Sequence, residues 1–187
     1  MKYGDLYKIF EFDEDSMKKI EKIISNIKTP LQKSLLNDES GRDSTLRISE
    51  QAWINDMPFR KSFLGLGQKI NKICQWNFDI QSIEAIQFGI YGEGGTYDWH
   101  VDQHPKAHRG SVRKISMTLF MNDPDEYEGG QFDLELYKPE TKPRYKTLKL
   151  KKGSAIFFQS DRWHRVRPIS SGVRKSLVAW LSGPTFK

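Results

Sequence analysis

From residue 80 onward the chain is cut into short alternating segments separated by turn signals, and this cadence limits its possible folds more than any other feature. The segments "SIEAIQFGIY", "RKISMTLFM", "GQFDLELY", "YKTLKL", "SAIFFQ", "HRVRPI" and "RKSLVAWL" are rich in β-branched and aromatic residues. Gly, Pro, Asn and Asp punctuate them, as in "NDPDEYEGG" and "KKG". Segments with a period of two and this length pair as strands, and a run of roughly seven or eight predicts an antiparallel sandwich or barrel. Upstream the period changes. In "EDSMKKIEKIISNI" (14–27), Met17, Ile20, Ile23, Ile24 and Ile27 recur at helical spacing, and Thr29-Pro30 stops the helix. "PFRKSFLGLGQKINKICQW" (58–76) opens on Pro and sets Phe59, Phe63, Leu66, Ile70, Ile73 and Cys74 on one face. The expected fold is mainly β with N-terminal helices (α+β), in a single domain over 1–187. A helical part spans about 1–78 and a β core about 79–187, with the helices packed on one face. The polar stretch beginning "LNDESGRDST" reads as a loop between the helices.

The single cysteine, Cys74, excludes an internal disulfide and reads as a buried packing thiol. The first residues, "MKYGDLYKIFEFDED", hold no apolar core of signal-peptide length, and no apolar run is long enough to span a bilayer. A soluble, cytoplasmic protein with no membrane partner is expected. The net charge of +6 comes from Lys spread along the chain, which describes a solvated surface. Oligomeric state is not legible.

The stretch "YGEGGTYDWHVDQH" (91–104) concentrates the chemistry. In an extended segment residues i and i+2 share a face, so His100 and Asp102 can reach one metal ion. His104 and His108 read as loop residues, because Pro105 and the upstream glycines disfavour a helix. His164 opens the strand "HRVRPI" and is the candidate third ligand. Two His and one carboxylate form the facial triad of non-haem iron, whereas zinc with the same ligands would suit hydrolysis. Arg174, ten residues after His164, separates the two. It alternates with Ser176, Val178 and Trp180, and an inward Arg among such neighbours needs an anion, which a dicarboxylate bound at iron would supply.

These motifs together resemble a known family. "YGEGGTYDWHVD" fits Y-x-x-G-x-x-Y-x-x-H-x-D. "TLFMNDPDEYEGGQFDL" looks like the strand, turn and Y-x-G-G element that follow, and "GSAIFFQSDRWHRVRPISSGVRKSLVAW" looks like the closing segment with H-x-V-x-P and G-x-R. Over about residues 83–183 the pattern is similar to iron(II)- and 2-oxoglutarate-dependent dioxygenases of the prolyl 4-hydroxylase-like branch, nearest to the PKHD-type hydroxylases. The resemblance implies a double-stranded β-helix, or jelly roll. His100, Asp102 and His164 would hold Fe(2+), and Arg174 would pair with the distal carboxylate of 2-oxoglutarate. Tyr91 and Thr118 would offer hydroxyls to that cosubstrate, and Val166 and Trp180 would wall its pocket. Where some relatives carry a Tyr beside "LN", this chain has Phe120, as PKHD-type sequences do. The implied reaction uses O2 to hydroxylate an unactivated C–H, with succinate and CO2 as coproducts; ascorbate is a further candidate cofactor.

The leading substrate is a prolyl residue in a protein or peptide. The alternatives are a free amino acid or other small molecule, and a non-enzymatic cupin-like binding module. Nucleic acid is not expected, since there is neither the Arg-rich pattern of demethylases around Arg174 nor the aromatic–basic interleaving of an RNA-binding sheet. Tyr97 reads as an anchor that packs its loop, and Trp99 is open between packing and function. Polar loops at 37–57 and 103–111 are expected to flank the mouth of the roll. Trp53, Ile54 and Met57 in the first of them either pack on the core or form a substrate groove.

Overall fold

The computed structural model describes residues 5–27, 30–37, 45–103, 107, 110–136 and 144–185. In chain order the elements are β1 (Tyr7–Glu11), α1 (Glu14–Ser25), β2 (Gln32–Asn37), β3 (Thr45–Ile54), α2 (Met57–Ile73), β4 (Ser82–Ile83), β5 (Ile86–Tyr91) and β6 (Thr96–His100). There follow β7 (Ser111–Phe120), β8 (Tyr127–Gly129), β9 (Phe132–Glu135), β10 (Tyr145–Leu148), β11 (Ser154–Gln159), β12 (His164–Val166), β13 (Ile169–Gly172) and β14 (Arg174–Pro184). The main sheet runs β1-β11-β7-β14-β5-β3-β6-β12-β9-β10, with β2 on β3 and β4 on β14; β13 and β8 form a separate ladder. The pairs are antiparallel. The sheet curls on itself as a jelly roll of the double-stranded β-helix kind.

Alternation along the strands sorts side chains into two layers. On β7 and β14, Ile115, Met117, Leu119, Leu177, Ala179 and Leu181 face the helices and are fully or almost fully buried. The intervening residues, among them Ser116, Thr118, Arg174, Ser176 and Trp180, face the hollow of the roll. The apolar layer is therefore the one under the helices. The concave layer mixes polar groups with a second apolar cluster around Phe132, Leu134, Ile156 and Phe158.

Both helices start at an Asp that caps them: Asp13 accepts from Ser16 N and Asp56 from Phe59 N, each at 2.7 Å. Met17 and Ile20 of α1 and Phe59, Phe63 and Ile70 of α2 are buried as the helical spacing predicts. Cys74 is buried at the end of α2. Ile73, expected on the same face, is half exposed.

The N-terminal part is more than helices. β1 pairs with β11, and β3 inserts between β5 and β6 in the main sheet. The loop expected over 37–57 is thus a strand from Thr45 to Ile54. Its alternation was masked because the inward residues are Arg47, Ser49 and Gln51, which face a polar hollow rather than an apolar core. Ile54 is buried and Trp53 turns toward Trp180, whereas Met57 is half exposed at the start of α2. Residues 38–44 of that stretch lie outside the described residues, as do His104, Pro105 and His108. No helix among the described residues is long and apolar enough to cross a membrane.

Candidate active site

Two strands and the bend after one of them bring the ligands together. His100 ends β6 and faces His164, the first residue of β12, across the ladder, with ring centroids 4.1 Å apart. Asp102 lies two residues beyond His100, and its backbone N–H is held by Ser160 O at 3.0 Å. Asp102 Oδ1 is 3.8 Å from His100 Nε2, and Oδ2 is 3.5 Å from His164 Nε2. The candidate ligand atoms of the three residues lie within 4.8 Å of one another.

Each imidazole is oriented in the same way. His100 Nδ1 is 2.7 Å from Asp98 O, and His164 Nδ1 is 2.9 Å from Arg162 O. A carbonyl only accepts, so each Nδ1 carries a proton, and Nε2 is the nitrogen that faces the other ligands. Burial, and then the neighbouring His164, push the pKa of His100 down to about 3, so the ring is neutral as a ligand must be. Burial works to raise Asp102, but the imidazoles of His164 and His100 and the Ser116 hydroxyl outweigh it and hold the carboxyl below its ordinary value. Two imidazoles that each present Nε2 and one ionised carboxylate, all buried or nearly so, fit a divalent transition metal.

In the same hollow as this cluster lies Arg174, 1% exposed. Its guanidinium lies over the rings of Phe120, at 5.1 Å, and Tyr91, at 5.5 Å. Nη1 reaches Ser176 Oγ at 3.3 Å. Nε and Nη2 are buried with no hydrogen-bond partner among the described residues, and so is the neighbouring Tyr127 hydroxyl. Burial is the largest influence on Arg174 and lowers its pKa, in opposition to its charge. A buried guanidinium with idle donors is costly unless an anion completes it. The orphaned atoms fit a carboxylate.

The remaining expected residues join the same hollow. Tyr91, Thr118, Val166 and Trp180 all line it, with Gln87, Phe132 and Val178. The Y-x-G-G element has a steric reason. Gly130 has φ +62°, and a Cβ there would collide with Ile169 and come within 3.1 Å of Arg174 Cδ. Gly130→Ala is expected to cost roughly 1–3 kcal/mol in backbone strain and to weaken binding of a carboxylate at Arg174. Thermal unfolding and a cosubstrate titration check both effects.

Tyr97 packs against the cluster around Phe132 and Leu134, as an anchor would, and it also lines the site. A β-bulge between β6 and β12 sets four residues, Tyr97 to His100, against three, His164 to Val166. Tyr97 therefore shares a face with His100 and stacks on it at 3.5 Å and 12°. Burial raises its phenol to about 12. Trp99 points the other way, packing against Tyr145 at 5.5 Å and under the Arg165 guanidinium. Residue-by-residue reading also passed over Arg47. It is buried, and it donates to Ser49 Oγ at 2.8 Å and Gln87 Oε1 at 2.9 Å beside the Tyr97 ring. Arg113 holds Glu84 in a two-pronged ion pair and lies 4.0 Å over Trp180. Gln87 is 40 residues from Arg47 and Glu84 is 29 residues from Arg113, so neither of these contacts has a local signal.

A jelly roll with two His and one Asp at its mouth and an unpaired Arg deeper in defines the facial-triad class of metalloproteins. Residues 86–182 match the model of the 2OG-Fe(II) oxygenase superfamily, more than half of the chain. The chain belongs to that superfamily, whose cofactors are Fe(2+) and 2-oxoglutarate, with O2. Over 102 residues it is 39% identical to a PKHD-type hydroxylase of Acaryochloris marina, covering 54% of this chain and 43% of the relative. A PKHD-type hydroxylase of Acidovorax ebreus is 32% identical over 105 residues, covering 54% and 44%. The chain thus spans under half the length of these curated relatives. Among solved structures, a Pseudomonas putida prolyl-4-hydroxylase superposes with a TM-score of 0.69 at 18% identity, covering 94% of this chain and 91% of that one. A viral collagen prolyl hydroxylase from Paramecium Bursaria Chlorella virus-1, solved with 2OG, gives 0.68 at 19%, covering 96% and 97%. These two likenesses show the fold.

Proposed function

We propose that this chain is an Fe(II)- and 2-oxoglutarate-dependent dioxygenase that hydroxylates a prolyl residue in a protein or peptide. The observation that carries the cosubstrate assignment is Arg174: a buried cation whose idle donors point into the same hollow as the His–Asp–His cluster. His100 Nε2, His164 Nε2 and an Asp102 oxygen would hold the iron, and Arg174 would take the far carboxylate of 2-oxoglutarate. When bound, iron and 2-oxoglutarate would activate O2, the oxidant: one oxygen atom would go to the C–H as a hydroxyl and the other to succinate, with CO2 released. The chain's own part is positional. The pinned imidazoles present one nitrogen each, Tyr91 and Thr118 offer hydroxyls, and Phe132, Val166 and Val178 keep water from the hollow.

The substrate assignment rests on the other side of the mouth. Arg47 donates there to the neutral Ser49 Oγ and Gln87 Oε1, and Trp180 lies against both Arg113 and Trp53. Donors and aromatic faces of this kind suit a peptide whose carbonyls accept hydrogen bonds and whose proline ring packs on indole. The likeness to proteins named prolyl hydroxylases supports the same reading. A test compares proline-containing peptides, free proline and methylated oligonucleotides at matched iron and cosubstrate. Substrate-dependent succinate with the peptide, together with a +16 Da peptide product, is expected. Turnover with free proline alone, or with the oligonucleotide alone, would overturn the peptide assignment.

A further inference from the structure

We infer that Ser116 and Ser160 form a two-hydroxyl clamp that fixes Asp102 as a one-oxygen metal ligand, which makes both serines positioning residues of the site. The inference rests on the reading of His100, Asp102 and His164 as the metal centre.

Ser116 Oγ donates to Asp102 Oδ2 at 2.7 Å and lies 2.9 Å from Ser160 Oγ. Both serines are essentially inaccessible, at 0% and 1% exposure, and a hydroxyl that deep is retained at a cost unless it is bonded. The direction of the chain follows from proton counting. An ionised carboxylate only accepts, so the single proton of Ser116 goes to Asp102. The proton between the two hydroxyls must then come from Ser160. The order is Ser160 to Ser116 to Asp102, with each bond polarising the next.

Ser160 also holds the main chain. Its carbonyl accepts from Asp102 N at 3.0 Å and Gln103 N at 2.9 Å, and its own N–H donates to Lys114 O at 3.0 Å. One residue therefore ties the backbone of the ligand turn to β7, while its side chain steers the carboxylate through Ser116. With Oδ2 engaged, the carboxylate cannot rotate freely, and Oδ1, on the His100 side, is left to bind. A carboxylate that binds through one oxygen keeps three positions of a six-coordinate ion open, as a cosubstrate chelating through two atoms and O2 together require.

The test is anaerobic titration of Fe(II) into the parent protein, Ser116→Ala, Ser160→Ala and the double variant, with metal-free thermal midpoints measured alongside. Ser116→Ala should bind iron about 10- to 100-fold more weakly, the usual range for losing an outer-shell partner. Ser160→Ala should lose affinity by a smaller factor. The double variant should be no weaker than Ser116→Ala alone, because Ser160 acts through Ser116. A merely structural role would lower the thermal midpoints and leave iron affinity unchanged. Iron affinity within twofold of the parent in Ser116→Ala, or fully additive losses in the double variant, would overturn the inference while leaving the metal centre standing. Should Ser116→Ala not fold, unchanged iron affinity in Ser160→Ala overturns it equally. A parent protein that binds no iron would bring down the metal centre and this inference together.

Discussion

Asp102→Ala is expected to abolish iron binding, and with it any turnover of 2-oxoglutarate. The carboxylate is the only anionic ligand in the cluster, and it is held ionised by the two imidazoles and Ser116. Its removal leaves two neutral nitrogens, too few and too weakly charged to retain a divalent ion at micromolar concentration. It also leaves one proton of the buried Ser116–Ser160 pair without its acceptor, a fold penalty of about 1–3 kcal/mol. Asp102→Asn separates these effects, because its amide oxygen can still accept from Ser116 while the charge is lost. Metal analysis and thermal unfolding of both variants should show iron lost from each and the fold better preserved in the asparagine protein. Full iron content in Asp102→Ala would remove Asp102 from the site. His100→Ala and His164→Ala should behave alike, since each supplies one pinned Nε2.

The legibility of this site in the sequence follows from how local its parts are. His100 and Asp102 are neighbours on an extended segment, so their spacing alone puts them together. His164 and Arg174 lie on strands with clear alternation, and the register of β12 with β6 and of β14 with β5 does the rest. The packing of Tyr97 was legible, but its place on the His100 face was not, because a β-bulge puts it there and no residue type announces a bulge. β3 was missed for a different reason. Its inner face is polar because it borders the hollow, so the pattern that normally marks a strand is inverted. Ser116, Ser160 and Tyr127 act only through contacts made by chain closure; Ser116 and Ser160 are 44 residues apart.

Arg174→Met should raise the 2-oxoglutarate requirement strongly while iron still binds. Truncating one partner of a buried, charge-assisted pair costs about 2–5 kcal/mol, which corresponds to roughly 30-fold to more than 1000-fold in affinity. The same substitution should leave the cosubstrate-free protein as stable as the parent or more so. The native guanidinium is buried with two idle donors, and an apolar side chain of similar length removes that penalty. This opposition of sign distinguishes a binding residue from a structural one. Loss of stability with an unchanged cosubstrate Kd would show that Arg174 supports the fold instead.

The most direct measurement of the central claim is an anaerobic calorimetric titration of 2-oxoglutarate into the Fe(II)-loaded protein, which needs no knowledge of the substrate. One equivalent should bind to the parent, with affinity lost in Arg174→Met and no iron-dependent binding left in Asp102→Ala. Absence of binding to the iron-loaded parent, or equal binding in the parent and both variants, would contradict the account.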